Sequence, residues 1–443
     1  MPQNTLTLAF AAFFSVVASA QNVSVDVPAP PQSKPIALVG GTVHTVSGPT
    51  LDKATVLFSA GKITAVGTDL PIPPDATTLD VSGKHVYPGL FDADTDLGLV
   101  EISAVRATRD TTETGEMNPN AEAAVAVNPD SDHIYVARSD GILLALTYPR
   151  GGLLAGQAAV LNLDGWTWED LTLSRRAGLI INWPDMSAQR GWWVTDSQKD
   201  QLRRRDEQLK RLRETFTAAR AYLALRAAQP DTTTIDTRWE SLRDVLASPD
   251  SGKQVPVIFI ADSAAQIRAA LAFAKDEKLK PIILGGYDAP LVADDLKAAD
   301  AGVILSGVQR MPARRHEPVD HAYTLPARLR DLGVKFAIAQ DRGFAHVRNL
   351  PYHAGAATGY GLTPDQAVRA ITLSPAEILG VADRVGSIEA GKHATLIVTT
   401  GNILETPTQV TAAFVQGKQI NLDNRQRRLA EKYREKYRQR DAK

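Results

Sequence analysis

Two blocks at opposite ends of the chain share one grammar. From Ile36 to Pro88, short β-rich runs are separated by turns. Val56-Leu57-Phe58 and Ile63-Thr64-Ala65-Val66 flank Ala60-Gly61-Lys62, and Leu79-Asp80-Val81 and His85-Val86-Tyr87 flank Ser82-Gly83-Lys84. A glycine between two such runs supplies the positive φ of a tight hairpin. The pattern returns at Ala390-Gly391-Lys392 before Ala394-Thr395-Leu396-Ile397-Val398, and at Ala412-Ala413-Phe414-Val415 before Gln416-Gly417-Lys418. Each block alone has too few strands to close a core. The pattern therefore predicts one small β-sandwich domain built from both ends of the chain, residues 35–87 and 385–420.

The middle reads differently. Apolar runs at Val255 to Ile260, Pro281 to Leu284 and Val334 to Ala339 alternate with helical patterns such as Ala264 to Lys275 and Thr363 to Ile371. The second helix opens with Thr363-Pro364-Asp365, an N-cap followed by proline in the first turn. Apolar strands alternating with helices make an α/β unit with a parallel sheet covered by helices. Roughly 300 residues of it suit a (β/α)8 TIM-like barrel over 88–384 better than an open sheet, although periodicity alone does not separate the two. The long charged segment Ser197 to Ala228 carries Leu209, Leu212, Phe216, Ala219 and Leu223 on one stripe, which reads as an outer barrel helix.

The ends and the composition narrow the setting. Leu6 to Ala18 is an apolar run too short to span a bilayer, and it ends in Ala18-Ser19-Ala20 before Gln21. That pattern predicts a secretory signal over 1–20 and a Pro-rich linker over 21–34, although no Lys or Arg precedes Lys34. The expectation is export to a periplasm or out of the cell, with no membrane contact once the signal is removed. Lys and Arg number 49 against 50 Asp and Glu, so there is no electrostatic case for a nucleic-acid partner. The absence of cysteine excludes disulfides, thiolate metal sites and a cysteine nucleophile. Residues 421–443 hold nine Lys or Arg against four Asp or Glu, with Leu429, Tyr433 and Tyr437 every four residues. A charged C-terminal helix docking that stripe on the body is expected.

The stretch Val86-Tyr87-Pro88-Gly89-Leu90-Phe91-Asp92-Ala93-Asp94-Thr95-Asp96-Leu97-Gly98 resembles the first barrel strand of the amidohydrolase superfamily. There, a Pro-Gly and a strand lead into Asp-Ala-His-x-His. Pro375 to Val381 followed by Arg384 to Ala394 is similar to the family's exit from the barrel into its β domain, and Ala339-Gln340-Asp341 to the strand with its catalytic aspartate. Arg348 to His353 and Gly361-Leu362 are similar to the imidazolonepropionase-like branch. The resemblance runs in order from about 36 to 420. It implies metal-assisted hydrolysis of C–N bonds other than peptide bonds, of the cyclic amide type, with Asp341 as the catalytic carboxylate.

In that family, metals are held by two histidines of the first strand, one each of the fifth and sixth, and the aspartate of the eighth. Here those positions fall on Asp94, Asp96, Ile260, Gly285 and Asp341, and the middle of the chain offers no strand lysine to bridge two metals. A two-zinc site is therefore not expected. Two functions stay open: a hydrolase with an unusual metal centre or none, and a metal-free binding or assembly protein with the tail helix as contact element. A small-molecule ligand and a homo-oligomer are compatible with either.

Strand periodicity would place Asp92, Asp94 and Asp96 on one face, inside the barrel, with Asp341 approaching. Three like charges cannot all stay ionised there. They could hold one hard cation (Mg, Ca or Mn) on Asp94, Asp96 and Asp341, keep a proton, or be neutralised by Arg106, Arg109, Arg138, Arg342 or Arg348. Among the nearby histidines, His316, His321, His346 and His353, the first candidate for a substrate contact is His346, five residues past Asp341. Trp166 and Trp168 belong to a cluster that is either loop packing or an aromatic wall for a ligand. Thr111 to Pro119 is a polar loop placed for substrate contacts.

Overall fold

The computed structural model describes residues 27–442, apart from 193, 249–251, 253 and 342. The segment read as a signal, 1–20, lies outside the described residues.

Five strands come first: β1 (Ile36–His44), β2 (Thr50–Ser59), β3 (Lys62–Gly67), β4 (Thr77–Asp80) and β5 (His85–Pro88). Eight form the barrel: β6 (Leu90–Thr95), β7 (Ile142–Thr147), β8 (Leu154–Asn162), β9 (Thr172–Asn182), β10 (Val257–Ala261), β11 (Pro281–Gly285), β12 (Gly302–Ser306) and β13 (Phe336–Ala339). The chain then returns through β14 (Leu396–Thr399), β15 (Val410–Val415) and β16 (Lys418–Gln419).

The two end blocks form one sheet in the order β16-β15-β14-β5-β1-β2-β3, with β4 also on β1. The join is β14 against β5, antiparallel, Ile397 opposite Tyr87. The sheet folds over a core of Leu38, Val56, Phe58, Val86, Leu396 and Phe414, in which the Phe58 and Phe414 rings meet edge-on at 5.1 Å. Gly61 and Gly417 take the positive φ, 80° and 76°, that their hairpins require. Deleting residues 386–420 removes the neighbour of β5 and takes Leu396 and Phe414 out of this core. Backbone amides of 36–85 should then exchange at unfolded rates, and unchanged protection in β1–β3 would show that the first block folds alone.

The barrel sheet runs β13-β12-β11-β10-β9-β8-β7-β6. Its seam is tied by side chain and loop: the Gln340 amide donates to Asp92 Oδ1 at 3.2 Å, and the Phe91 amide to the Ile371 carbonyl at 2.8 Å. Phe91, Leu146, Tyr148, Val160, Ile180, Ile258, Leu284, Ile304 and Ala337 fill the interior, with Ile378, Leu379 and Val381 in the same cluster. Outside, the helix Ala264–Asp276 starts at a Ser263/Gln266 capping box, and the helix Gln198–Ala228 buries Leu212, Phe216 and Ala219.

One strand departs from a regular (β/α)8 array within this TIM-like barrel. β8 is antiparallel to both β7 and β9. The link from Thr147 to Leu154 is only residues 148–153 long, too short for the crossover that parallel strands need. The consequence is positional. The β8–β9 connection lies at the end of the barrel where the other strands begin, not at the mouth.

The tail helix, Arg425–Asp441, does not dock as the spacing suggests. None of its residues is buried, and Leu429, Tyr433 and Tyr437 remain 41%, 49% and 51% exposed. It is tied at its start, where Asn424 Nδ2 donates to Ser139 Oγ at 2.8 Å and Arg427 to the Ser139 carbonyl at 3.1 Å. Its own cations cover the rings, Lys436 over Tyr433 and Arg440 over Tyr437. A stripe of three residues buries too little to offset the ordering of so many long side chains. Among the described residues, no helix is long and apolar enough to cross a membrane.

Candidate functional site

Barrel chemistry is expected where the parallel strands end, and β6 ends in the three aspartates. The two-residue alternation that would set them on one face is interrupted. Asp92 pairs with Ala145 and Thr95 with Thr147, so β6 carries one extra residue between these pairs. A bulge of this kind breaks the two-residue alternation and re-aims the side chains around it.

Each carboxylate consequently has its own partners. Asp92 is fully buried. Its Oδ1 accepts from the amides of Asp94 and Gln340, both at 3.2 Å, while Oδ2 has no hydrogen-bond partner. Burial first, and the neighbouring Asp94 charge second, push its pKa well above the ordinary carboxylate range. Asp94, also fully buried, accepts from Tyr148 Oη at 2.5 Å on one oxygen and from Ser306 Oγ on the other. Asp96 lies at the lip, where it accepts from the Phe344 amide at 3.0 Å and faces Arg150 at 3.4 Å. Burial raises its pKa, and the Arg150 charge opposes the rise.

Asp92 yields a pH signature. Because its folded carboxyl keeps its proton to higher pH than the unfolded one, its contribution is complete below the ordinary carboxylate range. That contribution is lost as pH rises through the raised folded pKa. Asp92→Asn keeps an Oδ1 acceptor without the charge. Its stability relative to wild type should improve between about pH 4 and about pH 8 in urea unfolding. An identical difference at both values would show that Asp92 does not titrate in this window.

The other positions do not complete a ligand set. Ile260 is half-buried on β10. Gly285 has φ +112°, and a Cβ there would stand 2.8 Å from Asp262 Oδ1 and 3.0 Å from the Ala261 carbonyl, so a histidine would be strained and crowded. β9 ends in Asn182, whose amide donates to the carbonyls of Arg150 at 3.0 Å and Gly152 at 2.6 Å. Among the described residues, no group of three His, Cys, Asp or Glu side chains is arranged to hold a metal ion.

Asp341 is exposed just past β13, and a Cβ on Gly307 would stand 3.2 Å from its Cβ and 3.4 Å from His353 Cε1. His353 is buried, and its Nδ1 accepts from the amides of Val308 at 3.2 Å and Gln309 at 3.4 Å. Burial lowers its pKa to about 4 against the pull of Asp341, so the ring is neutral with its proton on Nε2. His346 is exposed in the turn Phe344–Asn349. His133 lies nearby, its Nε2 3.0 Å from the Glu101 carbonyl and its ring edge-on to Phe344 at 4.5 Å.

Several expected partners lie elsewhere. Trp166 and Trp168 are in the β8–β9 connection, at the opposite end of the barrel from Asp341, because β8 runs backwards. They therefore build no wall at the mouth. Arg138 pairs with Asp164 in that same connection. Arg106 and Arg109 line a polar cleft of about 720 Å³ with Thr111, Thr112 and Asn128, Arg348 lies near Asp140, and Arg342 is outside the described residues. The cation beside Asp96 is instead Arg150, which with Tyr148 belongs to the short β7–β8 link. Ser306 closes the apolar run Val303-Ile304-Leu305. Nothing in the sequence marks its hydroxyl as a partner of Asp94.

The amidohydrolase family model matches residues 261–420 of the chain. An imidazolonepropionase of Syntrophobacter fumaroxidans is 32% identical over 108 residues, 24% of this chain and 24% of that protein. An N-substituted formamide deformylase of Arthrobacter pascens is 38% identical over 76 residues, 16% of this chain and 14% of that protein. Both matches thus span well under two thirds of the relatives' lengths. Among solved structures, an amidohydrolase from Thermotoga maritima superposes with a TM-score of 0.75 at 23% identity, covering 87% of this chain and 99% of that one. Molinate hydrolase superposes with a TM-score of 0.54 at 16% identity, covering 88% and 95%.

Proposed function

From the premise that this chain belongs to the amidohydrolase superfamily, imidazolonepropionase-like branch, we propose that it is a metal-independent member whose barrel mouth binds a small molecule without metal-assisted hydrolysis. One observation carries the reading: both oxygens of Asp94 are engaged by hydroxyl donors, Tyr148 and Ser306. The residues present do not fit a metal pair. Protein donors engage both oxygens of Asp94, the Phe344 amide and Arg150 engage Asp96, and a side chain at the sixth-strand Gly285 would be crowded by Asp262 and the Ala261 carbonyl.

A second reading is favoured by Asp341, which is open to solvent at a strand end beside His353. It would be a metal-free hydrolase of cyclic amides or formamides in which Asp341 takes the proton of an attacking water. The two readings separate in one experiment. The full-length protein and Asp341→Asn are assayed on a panel of cyclic amides and N-substituted formamides, with and without chelator. No turnover above the Asp341→Asn background supports the binding reading. Turnover that needs Asp341 and ignores chelator supports the second, and chelator-sensitive turnover contradicts both. The proposal also places the protein outside the cytoplasm. Exported material should begin near Gln21, and an intact Met1 on it would contradict that.

A further inference from the structure

One cavity with several apolar residues in its lining is not at the mouth. It lies under the amino-terminal edge of the barrel, where three adjacent strands begin: Lys280, Pro281 and Ile282 at β11, Asp300 and Gly302 at β12, and Val334, Lys335 and Phe336 at β13. Arg330, Gln366 and Arg369, with Ser374, Glu377 and Ile378 of the helix Leu373–Ile378, complete the lining. The volume is about 720 Å³, within the range of small-molecule sites. We propose that this cavity is a second ligand site, for a small organic anion with an apolar body.

The floor and the rim call for different halves of such a ligand. Ile282, Val334, Ile378 and the half-buried Phe336 give an apolar surface that excludes water. The rim holds four cations, Lys280, Arg330, Lys335 and Arg369, against two carboxylates, Asp300 and Glu377. Lys335 pairs with Asp300 at 2.5 Å and Arg369 with Glu377 at 2.7 Å. Arg330 pairs with Asp331 at 2.6 Å and meets Gln366 Oε1 at 3.1 Å. Among the described residues, Lys280 makes no ion pair. Among the described residues, one ammonium group on the rim of this hollow therefore has no carboxylate partner. A carboxylate would complete its charge while the ligand's chain covers the floor. A neutral ligand of the same shape leaves Lys280 unpaired, and a short anion leaves the floor wet.

Titration calorimetry of the full chain with decanoate, decanol and acetate tests this. Decanoate should bind saturably, decanol at least about ten-fold more weakly, and acetate without saturation. The exposed pair Lys280→Glu with Lys335→Glu should weaken decanoate about ten-fold or more. Ser374→Trp, which fills the hollow from its wall, should abolish binding. Arg150→Ala, at the mouth, should leave it unchanged, so the result is independent of the proposed function. Decanoate that binds the charge-reversed or filled variants as it binds wild type would overturn the proposal. So would loss of binding in Arg150→Ala, or no saturation up to the solubility limit.

Discussion

Replacing Asp164 with leucine should destabilise the protein by about 3–5 kcal/mol, the cost of breaking a buried ion pair by removing one partner. Asp164 and Arg138 are both almost fully buried, 3.2 Å apart, and Lys418 of β16 reaches the second Asp164 oxygen at 2.9 Å. The Tyr135 ring lies 4.4 Å from the guanidinium, a cation–π contact weaker than the ion pair. The arrangement exists because β8 is reversed, which carries Asp164 to the end of the barrel where the β domain packs. Loss of Asp164 should therefore loosen β16 as well as the barrel, visible as faster exchange of its amides. Pairing Asp164→Leu with Arg138→Met should recover part of the loss, since apolar replacement of a whole pair is often neutral. A loss below about 1 kcal/mol for the single variant in denaturant unfolding would show that Arg138 is compensated some other way.

The double substitution Tyr148→Phe and Ser306→Ala should cost about 3–6 kcal/mol, from two hydrogen bonds to a charged group worth roughly 1.5–3 kcal/mol each. Asp94 has no solvent to turn to. If Asp94 is held by protein donors, added zinc should not restore the lost stability. Nor should Asp94→His with Asp96→His create a tight site, because the far wall of the barrel supplies Ile260 and Gly285 and no nitrogen ligand. Full recovery of stability on adding zinc to either variant would place a ligand where these assignments have none.

Much of the architecture was legible because it rests on local chemistry. The hairpin glycines Gly61 and Gly417, the capped start at Thr363 and the apolar runs of β10 and β11 each state their conformation within a few residues. The reversal of β8 was not, since Leu154 to Asn162 reads as an apolar strand in either direction. Only the shortness of the 148–153 link betrays it. The face of each aspartate depended on a bulge set by register with β7, which strand periodicity does not contain. The tail showed the same limit: the spacing of Leu429, Tyr433 and Tyr437 is helical, but docking also requires a receiving surface. At the site, the motif residues Asp94, Asp96 and Asp341 were findable from the resemblance. Their partners were not, because a serine, a tyrosine and an arginine on three separate elements acquire meaning only when the barrel brings them together.

The proposal that protein donors stand in place of metals in this barrel can be checked by elemental analysis of the purified protein, after loading with zinc and dialysis against chelator. Only trace, sub-stoichiometric zinc is expected, because a zinc site needs about three well-placed protein ligands and the described residues present no such group. Stoichiometric zinc surviving dialysis would contradict it and identify the chain as a metallohydrolase.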